Sequence, residues 1–219
     1  MQLTDPPQIQ PPETGAKGLL MAGELAAALA AGSAGIFPTD TLPALAAVPA
    51  SAGQLWRLKG RPSTKAMILM GADPGSLLAA LELAVLPQWR AMAARCWPGP
   101  ITLVLPARGV VVQALQPNAP AHGASLGLRI PASDPALELL ACSGPLATTS
   151  ANRSGAPPCR TAGEAAAVFP NVPRLAPLPW PSMAGLASTV LRWEADDHWR
   201  VLRGGAVMPE GWPGSFSLE

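Results

Sequence analysis

Short apolar runs alternate along this chain with longer segments rich in alanine and leucine, and turn residues separate the two kinds. The segment from Met21 to Ala31 has high helix propensity and is followed by Gly32, a residue typical of helix C-termini. Gly35 to Phe37 is short and apolar, which predicts a buried strand. Strands interleaved with helices indicate the α/β class. Because the last predicted strands are clustered, we expect one twisted mixed sheet with flanking helices.

The remaining elements follow from the same signals. Ser51 is predicted to cap a helix that ends at Leu58, and Asp73 with Pro74 is predicted to begin another helix. Further predicted strands comprise residues 44–48, 66–70, 101–105, 126–130, 146–149, 188–192 and 199–202, and further predicted helices comprise residues 87–97, 135–141 and 161–168.

Domain boundaries are indicated by the distribution of proline. Residues 1–17 hold four prolines among polar residues, so we expect a disordered leader there. A chain of 219 residues can form one large domain, which we assign to residues 18–207, with a C-terminal tail at 208–219. The proline-dense stretch at 170–181 is expected to be a surface excursion within that domain.

Composition argues against several classes of protein. Charged residues make up 13% of the chain and the net charge is +1, so it lacks the broad basic field of proteins that hold nucleic acid by its phosphates. Three cysteines without a CxxC pair argue against a disulfide framework and a structural zinc site. The chain contains no uninterrupted apolar run of about 18 residues, so the sequence predicts no membrane span. We expect a cytoplasmic protein without a metal site in the protein itself.

The basic segment from Arg57 to Lys65 is the best local clue to function. Two of the three lysines of the chain, Lys59 and Lys65, lie here with Arg57 and Arg61, and no acidic residue separates them. A guanidinium offers a planar fork for two phosphate oxygens, whereas an ammonium is a compact charge that can follow charge developing during transfer. A nucleotide triphosphate is the most economical ligand for this segment, and a solvated basic loop is the alternative.

Two polar motifs follow predicted strands, where open α/β sheets commonly bind ligands. The first is Pro38-Thr-Asp-Thr41, in which Thr39 and Thr41 would share a side if the backbone is extended. The second is Thr148-Thr-Ser-Ala-Asn152, whose neutral donors can bind phosphate or adenine without adding charge. Ser188 at the head of a later strand, and Arg203 before Gly204-Gly205 near the end of the chain, are further candidates. An ordinary turn or sheet role is the alternative for each.

Together these segments resemble the YrdC-like threonylcarbamoyl-AMP synthase family, in the order in which the family carries them. The resemblance covers about residues 18–207, and the ordered set is more specific than any one motif. The segments are Phe37-Pro-Thr-Asp-Thr41, Lys59-Gly-Arg-Pro62 with Lys65, Trp97-Pro-Gly-Pro-Ile-Thr-Leu-Val104, Gly127-Leu-Arg-Ile-Pro131, Ser150-Ala-Asn-Arg-Ser-Gly155, Ser188-Thr-Val190 and Leu202-Arg-Gly204.

The resemblance implies a mixed sheet around a concave, basic cavity, and a reaction of L-threonine, bicarbonate and ATP to threonylcarbamoyl-AMP, pyrophosphate and water. The product would serve the threonylcarbamoyl modification of tRNA adenosine 37 by downstream transferase proteins, with possible contact to RNA. Catalysis would rest on positioning and electrostatics, with magnesium assisting. The implied roles are triphosphate binding for Lys59, Arg61 and Lys65, nucleotide binding for Ser125, Ser150, Asn152 and Arg203, and threonine binding for Thr39, Thr41, Arg129 and Ser188.

Two departures from the family pattern concern the threonine side of the implied cavity. Pro43-Ala44 stands where the family usually has Tyr-Gly, and Met70 stands where it usually has histidine. These changes leave two other functions open. One is a non-catalytic module that binds double-stranded RNA, and the other is a carbamoyl-transfer module like that of hydrogenase-maturation proteins, although the cysteine-rich zinc segments found beside that module are missing here.

Overall fold

The computed structural model describes residues 18–120, 123–195 and 198–209. The predicted leader and all but the first two residues of the predicted tail lie outside the described residues. Within the described part, one mixed sheet of ten strands is flanked by seven α-helices, which confirms the predicted α/β class and mixed sheet.

The bounds of the elements, in chain order, are as follows. The strands are β1 (Leu19–Leu20), β2 (Gly35–Phe37), β3 (Ala44–Ala47), β4 (Ile68–Met70), β5 (Ile101–Pro106), β6 (Ser125–Arg129), β7 (Leu146–Ser150), β8 (Arg174–Leu175), β9 (Thr189–Trp193) and β10 (Trp199–Arg203). The helices are α1 (Ala22–Ala30), α2 (Gly53–Lys59), α3 (Pro74–Ala79), α4 (Pro87–Cys96), α5 (Val110–Leu115), α6 (Asp134–Ser143) and α7 (Ala162–Val168).

The sheet runs in the order β1-β8-β2-β3-β7-β4-β6-β5-β9-β10. The pairs β1/β8, β2/β8, β4/β6 and β5/β9 are parallel, and the other neighbours are antiparallel. The central strands β3, β7, β4 and β6 therefore come from distant parts of the chain. This order brings the motifs around residues 41, 70, 129 and 150 onto adjacent strands.

Local signals predicted most elements, with a few errors. Asp73 caps α3 as expected, because its carboxylate accepts a hydrogen bond from the Ser76 amide. The cap predicted at Ser51 is wrong: residues Pro49–Ser51 form a 3₁₀ turn, and α2 begins only at Gly53. The two-residue strands β1 and β8 and the six-residue helix α5 were not predicted, because segments this short carry no clear periodicity.

The two faces of the sheet pack against different helices. Leu25 and Leu29 of α1 pack with Leu139 and Leu140 of α6 against one face, which includes Met70. The opposite face packs against α2, α3, α4 and α5. Among the described residues, no helix combines the length and the hydropathy needed to cross a bilayer.

Candidate functional site

A cavity of about 280 Å³ lies over the central strands of the sheet. Seven of the eleven predicted site residues line it: Thr41, Arg61, Arg129, Ser150, Asn152, Ser188 and Arg203. The rest of the lining is Leu42, Pro43, Ala44, Ala66, Ile68, Met70, Thr148, Thr149, Pro158 and Ala187. The other four predicted residues, Lys59, Lys65, Thr39 and Ser125, are outside this lining.

The floor of the cavity is one face of the sheet. Ala44 of β3 is paired with Ser150 of β7, and Thr148, two residues before Ser150, is paired with Ile68 of β4. Met70 is in turn paired with Arg129 of β6. Because paired residues and residues two apart point to the same face of a sheet, these side chains line a common surface.

Gly127 keeps this floor open between Ile68 and Thr102. A Cβ atom added at Gly127 would lie 2.8 Å from Cγ2 of Ile68 and 3.4 Å from Cγ2 of Thr102. Carbon atoms do not approach to 2.8 Å without displacing one another. The glycine is therefore required by the close packing of its neighbours.

The ammonium of Lys59 lies behind the wall of the cavity. The residue is 3% exposed, and its Nζ donates hydrogen bonds to the main-chain oxygens of Ser150, at 2.5 Å, and Asn152, at 2.7 Å. A third bond, of 2.9 Å, reaches the Asn152 side-chain oxygen, which also accepts a 2.7 Å bond from the Ser150 hydroxyl. All three N–H donors of Lys59 are thus directed to one turn. Burial, reinforced by the charge of Arg61, lowers the pKa of Lys59 from 10.5 to about 8.

Main-chain contacts reinforce this junction between α2 and the turn after β7. The Ser154 amide donates to the Lys59 carbonyl at 2.8 Å, and the Arg153 guanidinium donates to the Leu58 carbonyl. Helix α2 ends there because Gly60 adopts a left-handed conformation with φ 60°. The last two carbonyls of α2, those of Leu58 and Lys59, are therefore satisfied by the turn that Lys59 holds.

Arg61 reaches the cavity from the loop after α2. Its Nη1 donates to the Thr149 hydroxyl at 3.0 Å, and its Nη2 donates to the Ala66 carbonyl at 3.1 Å. Its Nε is buried and has no partner among the described residues. Burial lowers the pKa of Arg61, because a charged group loses solvation there. A half-buried cation with an unused donor is suited to an anionic ligand.

Lys65 lies on the exposed part of the same loop. Its main chain is fixed at two points: its amide donates to the Pro62 carbonyl at 3.1 Å, and its carbonyl accepts a 3.0 Å bond from the Trp56 indole. The side chain is free to extend toward solvent. Lys59 and Lys65 are therefore in opposite environments, although the sequence suggested one role for both.

Arg129 is the most buried cation in the lining, with 2% exposure. Its Nε donates to the Gly99 carbonyl at 3.1 Å, its Nη1 to the Thr41 hydroxyl at 2.9 Å, and its Nη2 to Asp40 Oδ1 at 2.5 Å. These bonds use three of the five N–H donors of a guanidinium, which leaves one on each terminal nitrogen for a ligand. Burial lowers the pKa of Arg129, whereas the Asp40 carboxylate raises it.

Thr39 supports this arrangement from below the lining. Its hydroxyl donates to the Leu42 carbonyl at 2.7 Å and accepts bonds from the Thr41 and Leu42 amides at 3.1 and 3.2 Å. Because the Thr39 hydrogen is used on Leu42, the 3.0 Å contact between the two threonine hydroxyls is donated by Thr41. Thr39 therefore shapes the turn, and Thr41 carries the contact to Arg129.

Ser188, directly before β9, and Arg203, at the end of β10, form another wall of the cavity. The Arg203 guanidinium donates to the Ser188 carbonyl at 3.1 and 2.9 Å and to its hydroxyl at 3.2 Å. The Ser188 hydroxyl also contacts the Thr102 hydroxyl at 2.9 Å. Burial lowers the pKa of Arg203. Ser188 thus holds the side chain of Arg203 in place, and both residues line the cavity.

The structure does not bring Ser125 into the lining. This residue begins β6, opposite Pro106, whereas Arg129 ends the same strand at the cavity. Its carbonyl accepts a 2.5 Å bond from the side-chain amide of Gln116. Two contributors had no predicted role: Asp40, the ion-pair partner of Arg129, and Thr102, the hydroxyl partner of Ser188. Both lie inside motifs that the sequence analysis had singled out.

The three residues that depart from the family pattern all line this cavity. Pro43 and Ala44 follow Thr41 directly, and Met70 is the strand neighbour of Arg129. The Pro43 carbonyl also accepts a 2.9 Å bond from the Ala151 amide, which links the first motif to the turn after β7. The substitutions therefore alter the surface that a ligand of Arg129 would touch.

Comparisons with known proteins identify relatives of this chain. Residues 27–205 match the model of the Sua5, YciO and YrdC family, which is described as Telomere recombination. The threonylcarbamoyl-AMP synthase of Thiobacillus denitrificans is 35% identical over 137 residues, which cover 61% of this chain and 70% of that protein. The enzyme of the same name from Stenotrophomonas maltophilia is 37% identical over 139 residues, covering 61% and 73%.

Solved structures share the fold. The H234A/Y235A variant of P. abyssi Sua5 superposes with a TM-score of 0.78 at 26% identity, covering 90% of this chain and 58% of that one. P. abyssi Sua5 complexed with L-threonine gives a TM-score of 0.73 at 28% identity, covering 85% and 55%. This chain thus spans a little over half the length of the Sua5 chains. E. coli YciO, at 21% identity and a TM-score of 0.69, shares the fold.

Proposed function

This chain belongs to the Sua5, YciO and YrdC family, and from that premise we propose that it is an L-threonylcarbamoyladenylate synthase, a nucleotidyltransferase. Such an enzyme converts L-threonine, bicarbonate and ATP to threonylcarbamoyl-AMP, pyrophosphate and water. The observation that carries the proposal is the convergence of two guanidinium groups on one cavity, the half-buried one of Arg61 and the buried one of Arg129.

Arg129 would bind the threonine carboxylate. Its two remaining N–H groups are on different terminal nitrogens, the pair that an end-on bidentate interaction with a carboxylate uses. Asp40 and Thr41 hold the guanidinium in that position before the substrate arrives, and Ser188 borders the same end of the cavity. Binding to a fixed fork limits the orientations of the amino group and so favours productive encounters.

Arg61 and Lys65 would bind the triphosphate, with Ser150, Asn152 and Arg203 contacting the nucleotide. The Nε of Arg61 has no hydrogen-bond partner among the described residues, and the exposed ammonium of Lys65 can approach phosphate oxygens from the rim. Lys59 would act through the turn that it holds, because its own donors are engaged by Ser150 and Asn152. Ser125 is outside the lining, so it would affect nucleotide binding only indirectly.

The chemistry would proceed by positioning and charge stabilisation. The threonine amino group forms a carbamate with bicarbonate, and water is lost. A carbamate oxygen then bonds to the α-phosphorus while the bond to pyrophosphate breaks. Negative charge accumulates on the departing pyrophosphate, and fixed cations such as Arg61 lower the energy of that state. No covalent intermediate with the protein is required.

Magnesium would enter with the nucleotide. The cavity lining contains no carboxylate, and no group of three or more histidine, cysteine, aspartate or glutamate side chains is clustered in the described part of the chain. Mg²⁺ keeps several waters and is commonly held by phosphate oxygens with few protein ligands. We therefore treat MgATP as the substrate. The product would be consumed in the cytoplasm by transferase proteins that modify tRNA adenosine 37.

The proposal is tested by pyrophosphate release from purified protein. We expect release that requires ATP, threonine and bicarbonate together, with threonylcarbamoyl-AMP identified by mass spectrometry. Arg61→Met and Arg129→Met should reduce it at least 100-fold, and Glu194→Ala, at an exposed position, should retain it. Release that persists without threonine or bicarbonate would refute the proposal. Salt-sensitive binding of double-stranded RNA without ATP turnover would instead support the RNA-binding function, which the comparisons do not favour.

A further inference from the structure

The end of the cavity around Arg129 has an apolar surface. Met70 is paired with Arg129 across β4 and β6, and Leu42 and Pro43 directly follow Thr41, which contacts the guanidinium. Ala187 precedes Ser188 on the opposite wall. An amino acid whose carboxylate is bound to Arg129 would therefore place its side chain among aliphatic and thioether groups.

The hydroxyl groups at this end are already paired within the protein. Thr41 donates its hydrogen to Thr39 and accepts a bond from Arg129. Ser188 shares a hydrogen bond with Thr102 and accepts one from Arg203. Both hydroxyls thus already have partners within the protein, so a substrate that lacks the hydroxyl would leave neither of them unpaired.

The apolar surface and the internally paired hydroxyls limit how well the site can discriminate threonine from an analogue that lacks the hydroxyl. A site built to bond a substrate hydroxyl rejects the analogue that lacks it by about 10⁴-fold or more, because its own polar groups are left unpaired. An apolar pocket separates two isosteres by only about 100-fold at most. Valine has the shape of threonine with a methyl group in place of the hydroxyl.

We propose that this subsite recognises the carboxylate and the branched shape of an amino acid but not its hydroxyl, so that the enzyme also accepts valine. The inference rests on the proposed function. In the reaction, the valine nitrogen bonds to the carbon of bicarbonate with loss of water, and its proton passes to solvent. The carbamate oxygen then bonds to the α-phosphorus of ATP, pyrophosphate leaves, and the carbamoyl-adenylate of valine is formed. Met70 is the specificity-determining residue.

The test compares kcat/KM for threonine and valine in pyrophosphate release, with both adenylates identified by mass spectrometry. We expect a preference for threonine of less than about 100-fold, and a larger preference would overturn the inference. Threonine turnover without valine turnover refutes this inference alone. Absence of turnover with either amino acid refutes the proposed function as well.

Two variants of Met70 test its part in the selectivity. Met70→Gln has a similar length but adds an amide that can bond a hydroxyl, so we expect the ratio of threonine to valine to rise about tenfold or more. Met70→Leu keeps the surface apolar and should leave the ratio unchanged. An equal ratio in both variants would show that Met70 does not determine selectivity. If a variant does not fold, as judged by its unfolding transition, the wild-type ratio still decides the main inference.

Discussion

The ammonium of Lys59 donates a 2.7 Å hydrogen bond to the main-chain oxygen of Asn152, a residue 93 positions further along the chain. This bond and the other two hydrogen bonds of the Lys59 ammonium join the end of α2 to the turn after β7. Two sequence motifs that each resemble an ordinary loop thereby become one rigid wall. The arrangement explains why both motifs are needed for one site.

Lys59→Met should disrupt this wall. The change removes the charged donor of three hydrogen bonds and leaves their acceptor oxygens without it. We therefore expect the free energy of unfolding to fall by about 3 kcal/mol. Turnover should fall at least 100-fold. Urea unfolding and pyrophosphate release measure the two effects, and unchanged stability would contradict the structural role of Lys59.

Lys65→Met is the matched control, since it removes the same group from an exposed position of the same loop. We expect the free energy of unfolding to change by less than about 0.5 kcal/mol. The KM for ATP should rise about tenfold, as for the loss of one charged hydrogen bond. Steady-state kinetics at varied ATP measures the effect. Equal losses of stability in both variants would show that the two lysines do not differ as the structure indicates.

The pKa of Lys59 predicts the pH dependence of turnover. Burial lowers this pKa to about 8, so the ammonium loses its proton as the pH rises through that value. A neutral amine has only two N–H donors for three acceptors, so the turn should loosen and kcat should decline. We expect a basic limb near pH 8 in a kcat profile from pH 6.5 to 10. Lys59→Arg, which stays charged, should lack it, and an identical limb in both proteins would assign the limb to another group.

The contribution of Lys59 to the free energy of unfolding should change with pH in the opposite direction to kcat. Between pH 8 and 10.5 the unfolded chain binds more protons at Lys59 than the folded chain, so the contribution of this group to stability rises with pH. Below pH 8 both states are protonated and the contribution is constant. Urea unfolding of wild type and Lys59→Arg across this range measures the difference, which should shift in favour of wild type above pH 8.

Asp40→Ala should destabilise the protein through Arg129. The change leaves a guanidinium that is 2% exposed without its counter-charge, and breaking a buried pair from one side typically costs about 3 kcal/mol or more. The KM for threonine should also rise, because the fork is no longer held. Glu194→Ala is the control: its contacts with Arg192 and Arg200 are exposed, so we expect less than about 1 kcal/mol. Similar unfolding midpoints for the two variants would contradict this.

The sequence supported the fold and the list of site residues better than it supported their individual roles. Apolar runs such as Gly35 to Phe37 and the Asp73 cap are local signals, and both are present in the structure. The burial of Lys59 depends on a turn 91 to 93 residues away, which no local pattern of charge can indicate. Ser125 illustrates the same limit, since the position of a residue along its strand relative to the cavity depends on strand register.

The adjacent glycines 204 and 205 provide the last test, because only one of them has room for a side chain. A Cβ at Gly205 would clash with the main chain of Ala187, Ser188 and Thr189, whereas a Cβ at Gly204 would meet nothing within 4 Å. Gly205→Ala should therefore push the Ser188 segment away from Arg203, lower stability by about 3 kcal/mol and raise the KM for threonine.

Gly204→Ala introduces the same methyl group one residue earlier and should change stability by less than about 0.5 kcal/mol. Both variants are measured by urea unfolding and by kinetics at varied threonine. Loss of threonine affinity in Gly205→Ala alone would show that the wall formed by Ser188 and Arg203 is part of the amino-acid site. Normal kinetics in a folded Gly205→Ala protein would exclude this wall from the site, because the segment that carries Ser188 cannot keep its position against the added methyl group.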